Sequence, residues 1–430
     1  MPAKRKTALA AAAVLIAAAV AAAAFLIGDR SENGGTPANA TASAPAGAEE
    51  TSSASALTEK EAASWSSLAD EAQAELVASF WDDGRSLFNN AAPCLLELCT
   101  DPFNYWWLAH ALDVLVDGYN RTGDEAYAER IGKLYQGLLD RNAGTFVNSY
   151  YDDMEWMALA WLRAYDATGD DRYKAAAREL WSEIKTGWNG GMGGGIAWRK
   201  EQPDYKNTPA NAPAVILAAR LYRAFGDAAD LEWAKKIYVW QRSTLVDPDT
   251  GLVWDGINRT GDGAIDKDWK FTYGQGVYIG AGVELFRATG DRAYLDDALK
   301  TAAYLKDGFT SPATGMLPSE GEGDGGLFKG ILVRYAGELI REAPEETHEL
   351  AVLLDTNARS LWEYGKAKDK ALFSTSWAQT PDAVVQLGVN LSGIMLLEQM
   401  AMLEKKGQLY RGRTGEIGED AVRICIQPGE

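Results

Sequence analysis

The chain has 430 residues, with 42 Lys and Arg against 61 Asp and Glu, so its formal net charge at pH 7 is −19. That negative surplus repels phosphate backbones and supplies no basic stripe, which argues against nucleic acid as a partner. It also disfavours polyanionic substrates, so a neutral polymer or a small neutral molecule is the ligand class that fits. The length is compatible with one large domain as well as with two or three smaller ones.

The N-terminal segment, residues 1–28, has the composition of an export signal. Lys4, Arg5 and Lys6 precede an almost unbroken apolar run over residues 7–28. The run is long enough to cross a bilayer, yet its many small residues offer cleavage sites, so a cleaved signal peptide and a membrane anchor both stay open. In either case the body of the protein is predicted to be extracellular, either secreted or tethered at the cell surface.

Composition also divides the rest of the chain. Residues 29–57 are mostly Ser, Thr, Ala, Gly, Pro and Glu, a composition that cannot bury an apolar core and is typical of a flexible linker. The predicted folded domain covers residues 58–406. Residues 407–430 are interpreted as a C-terminal tail.

Few residues offer metal or nucleophile chemistry, since the chain has only three Cys and two His. In an exported protein a short disulfide between Cys94 and Cys99 is expected, with two buried free thiols as the alternative. His110 and His348 lie in no recognisable ligand or nucleophile motif. Their surroundings therefore argue against a His-based metal site and against a Ser/His/Asp triad.

One phrase recurs along the chain and predicts its fold. An apolar helical stretch ends at a glycine, an aspartate follows as the N-cap, and a second helical stretch begins. Longer connections rich in Gly, Asn, Trp and Asp separate the repeats. The pattern predicts helices at residues 60–80, 104–121, 124–141, 153–168, 171–187, 210–225, 228–242, 274–289, 291–308, 328–342, 346–364 and 382–404.

Twelve helices make six hairpins, which favours an all-α fold, an (α/α)6 barrel with an inner and an outer ring. Its short turns gather at one end and its long loops at the other. An open superhelical array of hairpins is the competing architecture. The closed barrel is preferred because the long loops are unequal and aromatic, as loops over a binding site would be.

The adjacent carboxylates Asp152 and Asp153 are the strongest candidates for catalysis, because they lie where a long loop enters a helix. In the alternative interpretation Asp152 caps the helix, Glu155 completes a capping box, and the helix dipole favours Asp153. Neighbouring positions at a helix entry, however, hold carboxyl groups roughly 5 Å apart, as a retaining glycosidase needs. Two carboxylates so close cannot both ionise easily, which separates an anion from a proton donor.

Two loop segments resemble ligand-binding motifs only superficially. The Gly-rich segment 188–211 lets backbone approach a ligand, but it lacks the strand and the Lys-Ser/Thr pair of a phosphate-binding loop. The acidic stretch 247–268 does not have EF-hand spacing, so a solvated loop is expected there rather than a Ca²⁺ site. We predict no metal.

Four motifs in this order resemble family 76 of the glycoside hydrolases, the endo-α-1,6-mannanases and their fungal cell-wall relatives. They are YYDDMEW from Tyr150, GGGIAW from Gly193 followed by KNTPAN, TYGQG from Thr272, and FKGILVRY from Phe328. The resemblance spans roughly residues 58–405. One departure is Gly274, since the family usually has Asn at that place of the TYGQG motif.

The resemblance implies an (α/α)6 barrel and a retaining double displacement on α-1,6-linked mannan, with Asp152 as nucleophile and Asp153 as acid/base. No cofactor is required. Either Trp106 or Trp107, but not both, is expected to face the groove. The residues expected to wall the subsites or to bind sugar hydroxyls are Trp106, Trp107, Asn148, Tyr151, Trp198, Lys206, Asn207, Trp254, Asp255, Tyr273, Gln275 and Lys329.

Two other functions remain compatible with the sequence. A transglycosidase acting on mannose-containing glycans would form the same intermediate and differ only in the acceptor. A surface protein that binds mannan without cutting it would keep the groove, although a lectin has no need for two crowded carboxylates.

Overall fold

A computed structural model describes residues 63–95 and 99–409 of the chain. The predicted export segment 1–28, the linker 29–57 and most of the tail lie outside the described residues, so these boundaries stay predictions. Within the described ranges, no helix combines the length and the apolar composition needed to span a membrane.

The described residues form twelve α-helices, matching the twelve predicted from the repeats. Their bounds are α1 Trp65–Phe80, α2 Tyr105–Thr122, α3 Glu125–Arg141, α4 Tyr151–Thr168, α5 Asp171–Ile184, α6 Ala212–Phe225, α7 Ala228–Leu245, α8 Thr272–Thr289, α9 Arg292–Phe309, α10 Gly325–Glu342, α11 His348–Glu363 and α12 Leu387–Lys405.

The helices form two concentric rings. The inner helices α2, α4, α6, α8, α10 and α12 pack in that order, and α12 packs back onto α2, which closes the ring. The outer helices α1, α3, α5, α7, α9 and α11 pack against α12, α2, α4, α6, α8 and α10, respectively. The predicted (α/α)6 barrel is confirmed, and ring closure excludes the open superhelical array.

Tight turns join inner to outer helices at one end of the barrel. Four of these turns have a glycine with positive φ, between 71° and 77°, followed by an aspartate whose carboxylate accepts a backbone N–H of the next helix; the glycines are Gly123, Gly169, Gly226 and Gly290. A positive φ is accessible to glycine at little steric cost. The inner helices therefore all begin at the opposite end, where the long loops lie.

Some helix boundaries differ from the predicted ones. Helix α1 begins at Trp65 instead of residue 60, because the Ser64 hydroxyl caps it by accepting the Ser67 N–H at 3.2 Å. Helix α12 begins five residues later than predicted, because the preceding backbone is extended and pairs with another strand. Helix α10 begins earlier, at Gly325, since the absence of a side chain at Gly326 allows close packing against α12.

In residues 63–95 and 99–409, seven short strands connect the loops. They are β1 Trp81–Asp82, β2 Leu87–Phe88, β3 Ala91–Ala92, β4 Ala197–Arg199, β5 Gln202–Asn207, β6 Gly256–Ile257 and β7 Val385–Gln386. Strands β4, β5 and β6 form an antiparallel sheet, and a single bridge from Tyr150 to Arg199 joins this sheet to the start of α4. The structure also contains the expected disulfide between Cys94 and Cys99.

The turn half of the barrel interior is held by buried ion pairs. Arg334 of α10 binds the Asp117 carboxylate of α2 at 2.7 Å, and Arg163 of α4 binds the same carboxylate at 2.6 Å. Arg220 of α6 joins α10 through Glu338 at 2.7 Å. These contacts connect four inner helices with charges that are themselves paired, as buried charges must be.

Close packing of α8 against α10 makes Gly276 sensitive to substitution. A Cβ atom there would lie 2.6 Å from the Leu332 Cα atom, so we expect Gly276→Ala to lower the free energy of unfolding by about 1–3 kcal/mol. The matched control is Gly274→Ala, whose Cβ would meet the Thr208 methyl group at an ordinary 3.7 Å. Denaturant unfolding should show no loss for the control; equal losses would contradict this packing argument.

Candidate active site

The two adjacent aspartates lie in the first turn of α4, at the loop end of the barrel. The N-cap of this helix is Tyr150, and Asp152 and Asp153 both follow it inside the helix. The capping-box interpretation therefore does not hold, because Asp152 is not at the cap position and Glu155 is fully buried. The positive end of the helix dipole still favours negative charge at this turn.

Both oxygens of Asp152 accept hydrogen bonds. The Asp153 backbone N–H donates to Oδ1 at 3.0 Å, and the Trp198 indole N–H donates to Oδ2 at 3.0 Å. Trp198 lies on β4, so the bridge between β4 and the residue before α4 brings the indole to the carboxylate. Two donors stabilise the ionised form of Asp152.

Asp153 has a different environment. Its Oδ2 atom accepts a hydrogen bond from the Asn148 side-chain amide at 2.8 Å. Asn148 is fixed in turn, because its Oδ1 atom accepts the Tyr150 backbone N–H at 3.2 Å. The loop before α4 thus orients Asp153, while the β4 strand orients Asp152.

The pKa values of the pair are raised and unequal. Burial raises the pKa of Asp152 to about 7, although its two hydrogen-bond donors oppose the shift. Burial also raises the pKa of Asp153 well above its usual value, and the negative charge of Asp152 raises it further. Asp152 therefore ionises first and Asp153 keeps its proton, which gives one anion and one acid.

Glu155, one turn after the pair, is fully buried. Neither carboxyl oxygen makes a hydrogen bond of normal geometry. Burial and the charge of Asp152 raise its pKa well above the usual value, and the Ala214 backbone N–H only partly offsets this. The raised pKa favours the neutral form of Glu155, whereas the two hydrogen-bond donors of Asp152 favour its ionised form.

A third carboxylate, Asp255, lies on the Asp152 side of the pair. It accepts hydrogen bonds from the Tyr273 hydroxyl and the Arg259 guanidinium, and from the Tyr205 hydroxyl at 3.3 Å. Its negative charge is close enough to raise the pKa of Asp152. Burial raises the pKa of Asp255 itself, against the effect of its donors. This ordered carboxylate can accept hydrogen bonds from a polar ligand.

A fourth carboxylate, Asp324, lies on the other side. It is exposed and precedes α10, and its Oδ1 atom accepts the Trp106 indole N–H at 3.1 Å. Its negative charge contributes to the raised pKa of Asp153. Asp255 thus acts electrostatically on Asp152, and Asp324 acts on Asp153.

The structure brings several other predicted site residues to this region. Trp106 is half-buried and reaches Asp324, whereas Trp107 is only 5% exposed and belongs to the core. Asn207 is on the same face of β5 as Tyr205, two residues away. Its buried Oδ1 atom has no hydrogen-bond partner in the structure, so it stays a candidate for binding a ligand hydroxyl.

Two predicted hydroxyl ligands, Gln275 and Lys329, instead bind backbone groups of the protein. Gln275 is fully buried and its amide group binds the backbone of Val253 at 2.9 Å and 2.8 Å. Lys329 donates to the Thr375 carbonyl at 2.6 Å. The geometry gives Gln275 and Lys329 positioning roles. Lys206 is fully buried on the opposite face of β5 from Tyr205, and burial lowers its pKa to about 8. Its Nζ atom has no hydrogen-bond partner among the described residues, so its role as a hydroxyl ligand stays a prediction.

Two aromatic side chains that were predicted to line the sugar subsites, Tyr151 and Trp254, pack against other residues. The Tyr151 ring is buried against Gly187, and its hydroxyl lies 3.4 Å from the Thr186 hydroxyl. The Trp254 ring lies 5.3 Å from the Lys267 ammonium. The aromatic side chain beside Trp198 is Tyr150 instead of Tyr151, with ring centroids 5.2 Å apart.

Sequence reasoning missed Tyr150, Tyr205, Arg259 and Asp324. Alternation along a strand would have pointed to Tyr205 in place of Lys206, but no strand was predicted there. Asp324 directly precedes the FKGILVRY region and marks the start of an inner helix, which was the available signal. Arg259 had no sequence signal, because only the fold of its loop brings it to Asp255.

The acidic stretch 247–268 uses its carboxylates locally. Asp247 accepts the Asp249 and Thr250 backbone N–H groups at 2.8 Å and 3.1 Å, and Asp266 pairs with Arg259 at 3.2 Å. In the part of the chain that the structure describes, no group of three His, Cys, Asp or Glu side chains is arranged to hold a metal ion.

Comparison with known proteins establishes the family. The model of glycosyl hydrolase family 76 matches residues 64–411, a range that contains all twelve helices of the barrel. The chain belongs to glycosyl hydrolase family 76. As a family 76 member it is a glycoside hydrolase, and the resemblance inferred from its motifs is confirmed.

Relatives of known structure share the complete barrel. The GH76A α-1,6-mannanase of Salegentibacter sp. HEL1_6 is 43% identical, with a TM-score of 0.75 and coverage of 79% of this chain and 99% of that one. The Lin0763 protein of Listeria innocua is 43% identical, with a TM-score of 0.76 and coverage of 80% and 99%. An inactive Salegentibacter variant, with two consecutive aspartates replaced by alanine, was solved with α-1,6-mannotetrose.

A more distant curated relative is fungal. Mannan endo-1,6-alpha-mannosidase DCW1 of Saccharomyces cerevisiae is 22% identical over 76% of this chain and 79% of its own length.

Proposed function

We propose that this family 76 protein is an endo-acting, retaining glycoside hydrolase that cleaves α-1,6-mannosidic bonds. The observation that carries the proposal is the asymmetry of the aspartate pair. Asp152 has a hydrogen-bond donor on each oxygen, while Asp153 lies beside that charge and keeps its proton. One consecutive pair thus provides a nucleophile and a general acid.

The roles follow from these protonation states. Asp152 attacks the anomeric carbon while Asp153 gives its proton to the departing glycosidic oxygen, which breaks the bond and forms a glycosyl ester. Asp153, now ionised, takes a proton from water as the water attacks the anomeric carbon. The ester bond to Asp152 breaks, and both carboxyl groups return to their starting states.

Retention of configuration fits the position of the pair. Inverting glycosidases hold their carboxyl groups roughly 6.5–9.5 Å apart to leave room for a water, whereas retaining enzymes hold them about 5–5.5 Å apart. Asp152 and Asp153 are consecutive in one helical turn, and the backbone N–H of the second binds the carboxylate of the first. Because the two residues are directly linked in this way, the shorter carboxyl–carboxyl separation of retaining enzymes is favoured.

The substrate class is supported by the relatives and by charge. The Salegentibacter relative is an α-1,6-mannanase, and the fungal relative is a mannan endo-1,6-alpha-mannosidase. A neutral mannan also suits a chain with a net charge of −19. Since mannan is a polymer that does not enter cells freely, the predicted export segment is consistent with an extracellular enzyme.

The test is incubation of the purified full-length protein with linear α-1,6-mannan and with branched mannan. Hydrolysis predicts short α-1,6-mannooligosaccharides from the linear polymer. Products longer than the starting polymer chains would instead indicate a transglycosidase. Retention of the polymer without any product would indicate the mannan-binding surface protein.

The charge of Asp324 provides a test of the acid/base assignment. Asp324→Asn keeps an oxygen for the Trp106 indole but removes a negative charge beside Asp153. Since that charge disfavours ionisation of Asp153, its loss lowers the pKa of the acid. We expect the alkaline limb of the kcat/KM profile to move to lower pH.

The control for this pH shift is Asp171→Asn, on the outer helix α5 and exposed. It should leave the alkaline limb in place. An unchanged limb in Asp324→Asn would contradict the assignment of Asp153 as the acid.

A further inference from the structure

The loop that leads from β6 into α8 carries an exposed indole at the rim of the site. Four large apolar side chains are exposed among the described residues, and Trp269, with 46% exposure, is the aromatic one. A single exposed apolar side chain is common, but an indole combines a large apolar face with a polar N–H group and can stack on a ligand when it adjoins a binding site.

The ring is held in a fixed orientation. The Arg259 guanidinium carbon lies 3.8 Å from the centroid of the Trp269 ring and covers one face. Arg259 is itself fixed by its ion pairs with Asp255 and Asp266. Phe271 meets the indole edge-on, with centroids 5.8 Å apart. The indole is therefore ordered before any ligand arrives, which lowers the entropy cost of binding.

Trp269 is physically continuous with the catalytic centre. Its carbonyl accepts the Asp255 backbone N–H at 3.1 Å. Phe271 stacks at 5.9 Å on Tyr273, whose hydroxyl donates to the Asp255 carboxylate. Exposure falls along this aromatic series from Trp269 at the surface to Tyr273, which is 6% exposed. A chain of rings thus leads from solvent to the nucleophile side of the pair.

The arrangement of charges gives the groove a direction. In the proposed reaction Asp152 attacks the sugar that stays bound, and Asp153 protonates the sugar that leaves. Asp255 is linked to Asp152 by direct contacts: the Tyr205 hydroxyl donates to Asp255, and the Tyr205 ring lies 5.8 Å from the ring of Trp198, whose indole donates to Asp152. Asp153 instead contacts Asn148, on the loop before α4. Trp269, attached to Asp255, therefore belongs to the part of the groove that holds sugars on the non-reducing side of the cleaved bond.

We propose that Trp269 forms a distal sugar-binding subsite, in which its free face stacks on a pyranose ring two or more units from the cleaved bond toward the non-reducing end. This proposal rests on the proposed hydrolase function. A pyranose presents an apolar C–H face that an indole can cover, while the neighbouring guanidinium can donate hydrogen bonds to hydroxyls. The subsite would set how long an oligosaccharide must be for efficient cleavage.

The test compares wild type, Trp269→Ala and Trp269→Phe on α-1,6-mannooligosaccharides of increasing length. We expect Trp269→Ala to lower kcat/KM roughly tenfold on long substrates, through KM, since one ring stack is lost. The shortest substrate that is cleaved should be unaffected, because it does not reach the subsite. Trp269→Phe should retain most of the long-substrate activity.

The matched control is Val239→Ala, at an exposed position of the outer helix α7, which should change nothing. Equal loss at every length, or no loss at any length, would overturn the subsite. Calorimetric binding of the long oligosaccharide separates this result from failure of the hydrolase proposal. If wild type binds but does not cleave, only the hydrolase proposal fails; if binding is absent, or unchanged in Trp269→Ala, the subsite fails.

Discussion

Replacing Asp152 by alanine should reduce hydrolysis of α-1,6-mannan on the order of 10⁴-fold, because no other group can form the glycosyl ester. Replacing Asp153 by alanine should reduce it by roughly 10²–10⁴-fold, the usual contribution of general acid–base catalysis. Release of reducing sugar, measured under identical conditions for both variants and wild type, provides the comparison.

Azide should distinguish the two roles. In Asp152→Ala the anion takes the place of the missing carboxylate and displaces the leaving sugar directly, which gives a β-mannosyl azide. In Asp153→Ala the ester still forms when the substrate has a leaving group that needs no protonation. Azide then attacks that ester and gives an α-mannosyl azide. The reverse pattern of products would exchange the roles of the two residues.

Loss of activity in these variants should not come from unfolding. A carboxyl group whose pKa is raised in the folded state destabilises the fold at pH values above its unfolded pKa. Both groups of the pair are in this situation. Asp152→Ala and Asp153→Ala should therefore unfold at temperatures equal to or above that of wild type at pH 7, and a large decrease would contradict the account of the site.

Arg334→Met should be the most destabilising change outside the active site. It removes the guanidinium that binds both oxygens of the Asp117 carboxylate, at 3.0 Å and 2.7 Å, while that carboxylate stays fully buried. Breaking a buried pair by removing one partner costs about 3–5 kcal/mol. Because Arg163 still contacts Asp117 in this variant, we expect a loss of unfolding free energy toward the lower end of this range. Denaturant unfolding measures the loss.

The dependence of this effect on pH gives a second readout. Burial would raise the pKa of Asp117, but Arg334 and Arg163 outweigh it and hold the pKa below its usual value. The ionised pair therefore stabilises the fold above the unfolded pKa of Asp117, and this contribution is lost as the pH falls through the folded pKa. The difference in stability between wild type and Arg334→Met should shrink in acid.

Arg359→Met is the matched control for the buried pair. Its partner Asp355 is one turn away on the same outer helix, and both side chains are substantially exposed. Solvent screens such pairs, so little change in stability is expected. An Arg334→Met protein as stable as this control would show that the buried network does not hold the inner ring together.

The barrel was predictable because its signal is local. Each Gly-Asp turn needs a positive φ at one residue and a side-chain cap at the next. Glycine favours the first requirement and aspartate the second, so both can be recognised from the sequence. The aspartate pair could be proposed for the same reason, since Asp152 and Asp153 are adjacent in the sequence. The four repeats identified the helical hairpins, and a total of six hairpins favoured a closed barrel.

The remaining site residues depend on contacts between distant segments. Tyr205 and Lys206 are neighbours in the short strand β5, so their side chains point to opposite faces of the sheet. Only the register of that strand determines that Tyr205, and not Lys206, faces Asp255. The side-chain amide of Gln275 could bind a sugar hydroxyl, but it is hydrogen-bonded to the backbone of Val253. Arg259 reaches the site through the fold of its loop. None of these outcomes follows from composition or helical periodicity.

The anomeric configuration of the first product tests the central claim most directly. Proton NMR recorded during the first minutes of linear α-1,6-mannan digestion, before mutarotation equilibrates the reducing ends, reports that configuration. Attack by Asp152 followed by water predicts that new reducing ends appear first as the α-anomer. Appearance of the β-anomer first would show single displacement by water and would contradict Asp152 as the nucleophile.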